Sequence, residues 1–161
     1  MSLGVAGVEG DGEDTFRCPS DIVVSREGHI FVGDGHGDGG NNRIVKFSGD
    51  GKFVAAWGRQ GTGPGEYRAI HALAMDSQGR LFVGDRGNHR IQLLGQGGNY
   101  ITAWHQFGSP SGIYIDESDN LYVADSDSGY RPDAVSRSRI PGFKRGIYIG
   151  NALTGEVTAF I

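Results

Sequence analysis

The chain has 161 residues, the length of one ordinary domain, and its 37% hydrophobic and 21% charged residues are typical of a globular protein. A net charge of −4 provides no basic field for nucleic acid, and no apolar run reaches the ~18 residues of a membrane-spanning helix. The single cysteine excludes an internal disulfide, whereas the 29 glycines predict many tight turns and therefore many short strands.

Taken in chain order, the sequence contains one pattern three times. In each copy a short apolar segment leads through a turn to a second apolar segment, which ends in Asp34, Asp85 or Asp125. These aspartates lie 51 and then 40 residues apart. The first two copies also share an Asn-x-Arg-Ile stretch and a tryptophan, Trp57 or Trp104, at an offset of 47 residues.

Each copy predicts four short strands. The first two strands of the copies are predicted near 21–24, 29–34, 71–76, 80–85, 112–116 and 121–125. The second copy continues with strands at 90–94 and 100–104, and the third copy with strands near 147–149 and 157–160. A four-stranded unit of ~40–50 residues repeated in tandem is a β-propeller blade, and a β-sandwich would not give this repeat. We therefore predict an all-β propeller with no helix longer than about two turns and with blades at approximately 16–67, 68–107 and 108–161.

The third copy departs from the pattern between Asp125 and Gly146. This stretch holds two prolines and the basic residues Arg131, Arg137, Arg139, Lys144 and Arg145. A connection of this length inside a compact domain is usually functional or disordered. Two interpretations stay open, a solvated insertion and a rim that contacts a partner or ligand.

Three blades use up the chain, whereas a closed propeller has ~4–8 blades. An open stack exposes apolar blade faces at both ends, which promotes association. Either the chain belongs to a longer parent or two copies complete a ring, and the apolar end at 159–161 favours the longer parent. For the isolated chain we expect self-association, most simply as a two-fold dimer that closes a six-bladed ring.

Short motifs follow one another in a fixed order through the first two copies. They are Pro-Ser-Asp at 19–21, Asp-Gly-His at 34–36, Asn-Arg-Ile-Val-Lys-Phe at 42–47, Gly-Lys-Phe at 51–53, Trp-Gly at 57–58, Gly-Pro-Gly-Glu-Tyr at 63–67, Ile-His at 70–71 and Asp-Arg-Gly-Asn-His-Arg-Ile at 85–91. The last motif resembles the core of an NHL repeat. The whole order resembles the middle of the peptidyl-α-hydroxyglycine α-amidating lyase propeller and its bacterial relatives, closely from Phe16 to Trp104 and more loosely to Ile161. This resemblance implies a six-bladed NHL propeller, of which the chain holds half, the third to fifth blades.

The resemblance also implies a site. His71 matches one of three histidines that hold zinc in the family, and Arg86 matches a catalytic arginine. His36 stands where the family has a catalytic tyrosine. The other zinc ligands and a second arginine would lie in blades outside this chain. Zinc in the complete propeller, a peptide ligand and a secreted or periplasmic location are further expectations of the resemblance.

The residues themselves support part of this site. Adjacent strands of a meander are antiparallel, so the start of the first strand and the end of the second share one edge, which places His71 and Arg86 on one face near the axis. An imidazole suits zinc, and a guanidinium suits a carboxylate or a developing oxyanion. One histidine is not a zinc site, and without the resemblance His71 is interpreted as a channel-lining histidine.

Two further clusters have structural interpretations. The segment 34–42 is rich in side chains with oxygen ligands, but its spacing matches neither the EF-hand nor the nonapeptide calcium repeat. We therefore interpret it as a flexible glycine-rich loop and not as a calcium site. Arg43 and Arg90 recur at the starts of third strands, close to Asp34 and Asp85. That recurrence predicts a structural ion pair in every blade.

Two functions stay open at this point. The first is a metal-dependent lyase-like parent, which releases a peptide amide and glyoxylate, with no activity expected of this chain alone. The second is a non-catalytic NHL propeller that binds a peptide, glycan or protein on one face. Neither a Gly-x-Ser-x-Gly motif nor a pair of catalytic carboxylates can be named, so hydrolase chemistry has no support. The metal content of the full-length parent discriminates between the two functions.

Overall fold

The computed structural model describes residues 1–37, 39–129 and 142–161. Within these ranges the chain forms three four-stranded antiparallel sheets, each a propeller blade, and one short parallel pair. The first sheet contains β1 (Pro19–Val24), β2 (Ile30–Asp34), β3 (Arg43–Phe47) and β4 (Phe53–Trp57), and the parallel pair is β5 (Arg59–Gln60) with β6 (Glu66–Tyr67). The second sheet contains β7 (Ile70–Met75), β8 (Leu81–Asp85), β9 (Arg90–Leu94) and β10 (Tyr100–Trp104). The third sheet contains β11 (Pro110–Ile115), β12 (Asn120–Asp125), β13 (Gly146–Asn151) and β14 (Val157–Phe160).

The predicted all-β propeller architecture is confirmed. Every predicted strand is present, with small displacements of its ends, while the parallel pair β5–β6 is an addition that the sequence did not suggest. The described ranges contain one short 3-10 helix, Arg86–Asn88. No helix within them is long and apolar enough to cross a membrane. Most of the long connection in the third copy, residues 130–141 with three of its five basic residues, lies outside the described residues.

Each sheet has a bulge at the same place in its first strand. The register shifts around Ser20 in β1, around His71 in β7 and around Ser111 in β11. A bulge leaves its extra residue unpaired and redirects the side chain. Because β1 contacts β7 and β7 contacts β11, the three bulged residues lie along one side of the stack.

Apolar side chains fill the space between neighbouring sheets. Between the first and second sheets the buried layer includes Phe31, Ile44, Leu73, Leu81, Val83 and Leu94. Between the second and third sheets it includes Phe82, Ile91, Leu93, Leu121, Val123 and Tyr148. Each such side chain contributes about 1.5–3 kcal/mol when buried, so these layers hold the sheets together. The packing of the sheets in turn determines how the loops of adjacent blades meet.

The two outer faces of the stack are partly apolar. On the first sheet Ile22 and Val24 are 55% and 57% exposed, and Phe16 of the N-terminal segment packs on the rest of that face. On the third sheet Tyr114 is 64% exposed and Ile147 is 37% exposed. Both faces therefore have apolar surface available to a neighbouring sheet.

Candidate functional site

Two buried ion pairs join the second and third strands of the first two sheets. Arg43 Nε lies 2.9 Å from Asp34 Oδ2, and Arg90 Nε lies 2.8 Å from Asp85 Oδ2. Neither carboxylate is exposed to solvent. The remaining N–H groups of each guanidinium donate to carbonyls of the loop that precedes the sheet, which for Arg90 belong to Thr62, Gly63 and Glu66. Each pair therefore anchors the loop that leads into its own sheet.

The expectation of such a pair in every blade does not hold for the third sheet in the described part of the chain. The residue opposite Asp125 there is Gly146, which has no side chain. The Asp125 carboxylate instead accepts hydrogen bonds from the main-chain N–H groups of Ser109, Asp127 and Ser128. Among the described residues, main-chain donors thus take the place of the guanidinium.

His71 lies in the bulge of β7, at the sheet edge where Ile70 pairs with Asp85. Its Nδ1 atom is 2.8 Å from the carbonyl oxygen of Ser111, the bulged residue of the next sheet. A carbonyl oxygen only accepts hydrogen bonds, so Nδ1 carries the proton and a neutral His71 keeps its lone pair on Nε2. Metal-ligating histidines commonly have this tautomer, with the second nitrogen held by a carbonyl.

The Nε2 atom of His71 contacts His36, which comes from the loop after β2. The two Nε2 atoms are 2.9 Å apart. Since the lone pair is on His71, His36 donates its Nε2–H, and in the neutral form of His36 the lone pair is then on Nδ1. The His36 loop is held by its backbone, because the N–H groups of Gly35 and His36 both donate to the carbonyl of Cys18. A Cβ on residue 35 would collide with the backbone of Asn42, so this approach requires glycine.

Charge and burial keep His71 neutral. Burial lowers the pKa of His71 below its ordinary value, and the positive charge of Arg86 lowers it further. Arg86 is half-buried and follows the end of β8 as the first residue of the 3-10 helix. The Arg86 guanidinium forms no ion pair or hydrogen bond with the described residues. His71 and Arg86 therefore lie at the same edge of the second sheet, joined there by His36 from the first sheet.

Two clefts open beside these residues. The channel-side cleft, about 510 Å³ in volume, is lined by His36, His71 and residues of the three first strands. The rim cleft, about 690 Å³, is lined by Arg68, Arg86, His89 and Asp127, together with neighbouring polar residues. His36 lines the channel-side cleft and the next residue, Gly37, lines the rim cleft, so the two clefts are neighbours.

The sequence reasoning did not single out three of these residues. Ser111 is the repeat equivalent of His71, and the shared Pro-Ser of the first and third copies was the signal that pointed to its position. Asp127 follows the irregular turn of the third copy, and Arg68 lies in the loop before β7. Neither Arg68 nor Asp127 belongs to a pattern that recurs in all three copies.

The described ranges contain no group of three or more His, Cys, Asp or Glu side chains that could hold a metal. The Asp34 carboxylate, the first oxygen ligand of the glycine-rich segment, already accepts hydrogen bonds from Arg17, Asn41 and Arg43. Asp38 of the same segment lies outside the described residues. A zinc site at His71 would therefore need ligands from beyond these ranges, as the resemblance implies.

The chain matches a family model and several curated proteins. The family model DUF5128, described as a 6-bladed beta-propeller, matches residues 15–122. "NHL repeat-containing protein 3" of Mus musculus is 38% identical over 85 residues, which are 50% of this chain and 24% of that protein. The "Probable peptidyl-alpha-hydroxyglycine alpha-amidating lyase" of Caenorhabditis elegans is 36% identical over 77 residues, 47% of this chain and 21% of that protein. The chain thus spans only a minor part of the relatives it matches, and the resemblance to NHL propellers and to the amidating lyase is confirmed at the level of sequence.

Solved structures agree on the fold. The chain described as "Structure of U3-55K" superposes with a TM-score of 0.64 over 89% of this chain and 38% of that chain, at 19% identity. A likeness at this identity shows the fold alone. The family match covers more than half of this chain and includes His36, His71 and Arg86. The chain therefore belongs to the DUF5128 family of six-bladed β-propellers.

Proposed function

We propose that the complete propeller is a metal-dependent lyase that cleaves the C–N bond of a peptidyl α-hydroxyglycine, giving a peptide amide and glyoxylate. In this proposal His71 is a metal ligand, Arg86 binds the substrate, and His36 transfers a proton. The observation that carries it is the state of His71, a neutral imidazole that lines the channel-side cleft, with its Nδ1–H held by a carbonyl and its Nε2 lone pair directed at His36. The similarity to the nematode lyase supports the same assignment.

In this proposal the chain provides one zinc ligand, the Nε2 atom of His71. Catalytic zinc takes imidazole nitrogens readily and usually has three protein ligands, so the other ligands would come from further blades. When bound, zinc would supply Lewis-acid polarisation of the substrate hydroxyl. The His36 Nε2–H now occupies the His71 lone pair, so metal binding requires His36 to give up that hydrogen bond.

The remaining chemistry belongs to His36 and Arg86. The α-hydroxyl loses its proton, the carbonyl of glyoxylate forms, and the C–N bond breaks with its electron pair going to nitrogen, which takes up a proton. The free Nδ1 lone pair of His36 is suited to accept the hydroxyl proton and return it to the nitrogen. The guanidinium of Arg86, which pairs with no carboxylate among the described residues, is suited to bind the substrate carboxylate in a bidentate manner.

The metal assignment is tested by zinc titration of the 161-residue chain. We expect weak zinc binding that is lost in His71→Gln and retained in His105→Gln, because His105 is exposed and lines neither cleft. Equal zinc affinity of the three proteins would contradict the assignment. Glyoxylate release from an N-acyl α-hydroxyglycine by the complete propeller, abolished by Arg86→Gln, tests the activity. A complete propeller with neither zinc nor glyoxylate release would refute the proposal.

A second candidate function is a non-catalytic NHL propeller that binds a peptide, glycan or protein partner on the face with the two clefts. The histidine at position 36, where the lyase family has a tyrosine, favours it, as does the similarity to NHL repeat-containing protein 3. In this case the complete propeller purifies without zinc, and removal of metal ions by a chelator leaves partner binding unchanged.

A further inference from the structure

The rim cleft contains a second guanidinium beside Arg86. Arg68 has an exposed side chain that lines the same cleft. Within the described ranges neither guanidinium takes part in an ion pair, whereas Arg43, Arg59, Arg80 and Arg90 all do. Among the described residues, no carboxylate therefore neutralises either positive charge of the cleft.

The backbone at Arg68 and Ala69 is fixed at three points, although the Arg68 side chain makes no ion pair with the described residues. Its N–H donates to Oδ1 of the buried Asp85 at 2.7 Å, and its carbonyl accepts the N–H of Gly87 at 2.8 Å. The next residue, Ala69, has a left-handed φ of 56° and donates its N–H to Asn42 Oδ1 at 2.9 Å. A non-glycine residue keeps such a conformation where its surroundings impose it. Arg68 thus starts from a rigid base next to Arg86, which lowers the entropy lost when its guanidinium meets a ligand.

The other ionisable groups of the cleft leave it positively charged. Burial lowers the pKa of His89 below its ordinary value, so His89 is neutral at pH 7, and its Nδ1 lies 2.6 Å from Ser109 Oγ. Asp127 is the acidic side chain among the described lining residues. Two guanidiniums and one carboxylate suit a ligand that has two anionic groups and an N–H donor. A peptide with an acidic residue immediately before a C-terminal glycine has this set of groups.

We propose that Arg68 is a specificity-determining residue, which selects peptides with an acidic residue immediately before the C-terminal glycine unit that bears the terminal carboxylate. Arg86 binds the terminal carboxylate, Arg68 binds the acidic side chain, and Asp127 accepts an amide N–H of the peptide. The inference rests on the proposed function for the placement of the carboxylate on Arg86. It needs no metal.

Calorimetric titration of the 161-residue chain with two peptides tests this selectivity. Acetyl-Glu-Gly and acetyl-Gln-Gly have the same length and the same terminal carboxylate, and they differ by one charge. We expect the chain to bind acetyl-Glu-Gly about 1.5- to 5-fold more tightly, the range for one exposed ion pair. Arg68→Gln should bind the two peptides equally. Arg26→Gln, which removes an exposed arginine from the β1–β2 turn, should keep the preference.

Three results would overturn the inference: no measurable binding of either peptide, equal binding of both by the unaltered chain, or an equal loss of preference in Arg26→Gln. Urea unfolding of Arg68→Gln checks that the variant is folded. This test and the zinc and glyoxylate tests can fail separately. A preference without zinc binding retains the inference and removes the lyase, whereas zinc and glyoxylate release without a preference do the reverse.

Discussion

Replacement of Arg90 by methionine should destabilise the chain strongly, because it leaves a buried carboxylate without its charged partner. The side chains of Arg90 and Asp85 are 9% and 0% exposed, and Nε lies 2.8 Å from Oδ2. Removing one partner of such a pair costs about 3–5 kcal/mol. The neutral donors that remain on Asp85, from Arg68, Asn88 and Gln92, place the expected loss at the lower end of that range.

Arg59→Met is the matched control. Arg59 Nη2 lies 2.7 Å from Glu66 Oε1, but the Arg59 side chain is 80% exposed, and pairs of this kind contribute about 0–1 kcal/mol. Urea unfolding of both variants and of Arg90→Lys measures the difference. The lysine variant keeps the charge but loses the planar fork that reaches the loop carbonyls, so its loss should be intermediate. The reasoning is refuted if Arg90→Met costs no more than Arg59→Met.

Three further predictions concern stability and assembly. Tyr67 has a buried hydroxyl with no hydrogen-bond partner among the described residues, so Tyr67→Phe should raise the free energy of unfolding by about 1 kcal/mol in urea, and a decrease would contradict this. Burial lowers the pKa of His71 and His89 below the ordinary value of 6.5, so the unfolded chain binds more protons just below that pH. Stability should therefore fall as the pH drops through this window, and a double variant with glutamine at both positions should show a flatter curve. The apolar outer faces should make the isolated chain self-associate in light scattering, less so after Tyr114→Ser and Ile147→Ser, and a stably folded monodisperse monomer would refute this.

The sequence predicted the strands because their signals are local. Glycine turns and short apolar segments recur in each copy, and the pairing of Asp85 with Arg90 needs only that two consecutive strands be antiparallel. The third sheet departs from this rule because glycine occupies the position of the arginine. That departure was visible in the sequence only as a broken repeat.

The contacts that build the candidate site are not local. His36 and His71 come from different sheets and meet because an apolar layer sets the distance between those sheets. The bulge that redirects His71 gives no signal in the sequence, since the strand pattern on either side of it is uninterrupted. Sequence reasoning could place His71 and Arg86 at one edge, but the tautomer of His71 required its partners Ser111 and His36.

Position 36 is a place where the chemistry can change while the fold does not. Its loop is held by main-chain hydrogen bonds to Cys18, and the His36 side chain is exposed, so His36→Phe should leave the free energy of unfolding within about 0.5 kcal/mol. The same substitution removes the N–H that occupies the Nε2 lone pair of His71. In this variant zinc no longer competes with the hydrogen bond for the Nε2 lone pair of His71. If His36 transfers protons and is not a metal ligand, the zinc affinity of the chain should therefore rise by roughly 2- to 10-fold. Zinc titration of the unaltered chain and of His36→Phe makes the comparison. A fall in affinity would show that His36 is itself a metal ligand and would refute the proton-transfer role assigned to it.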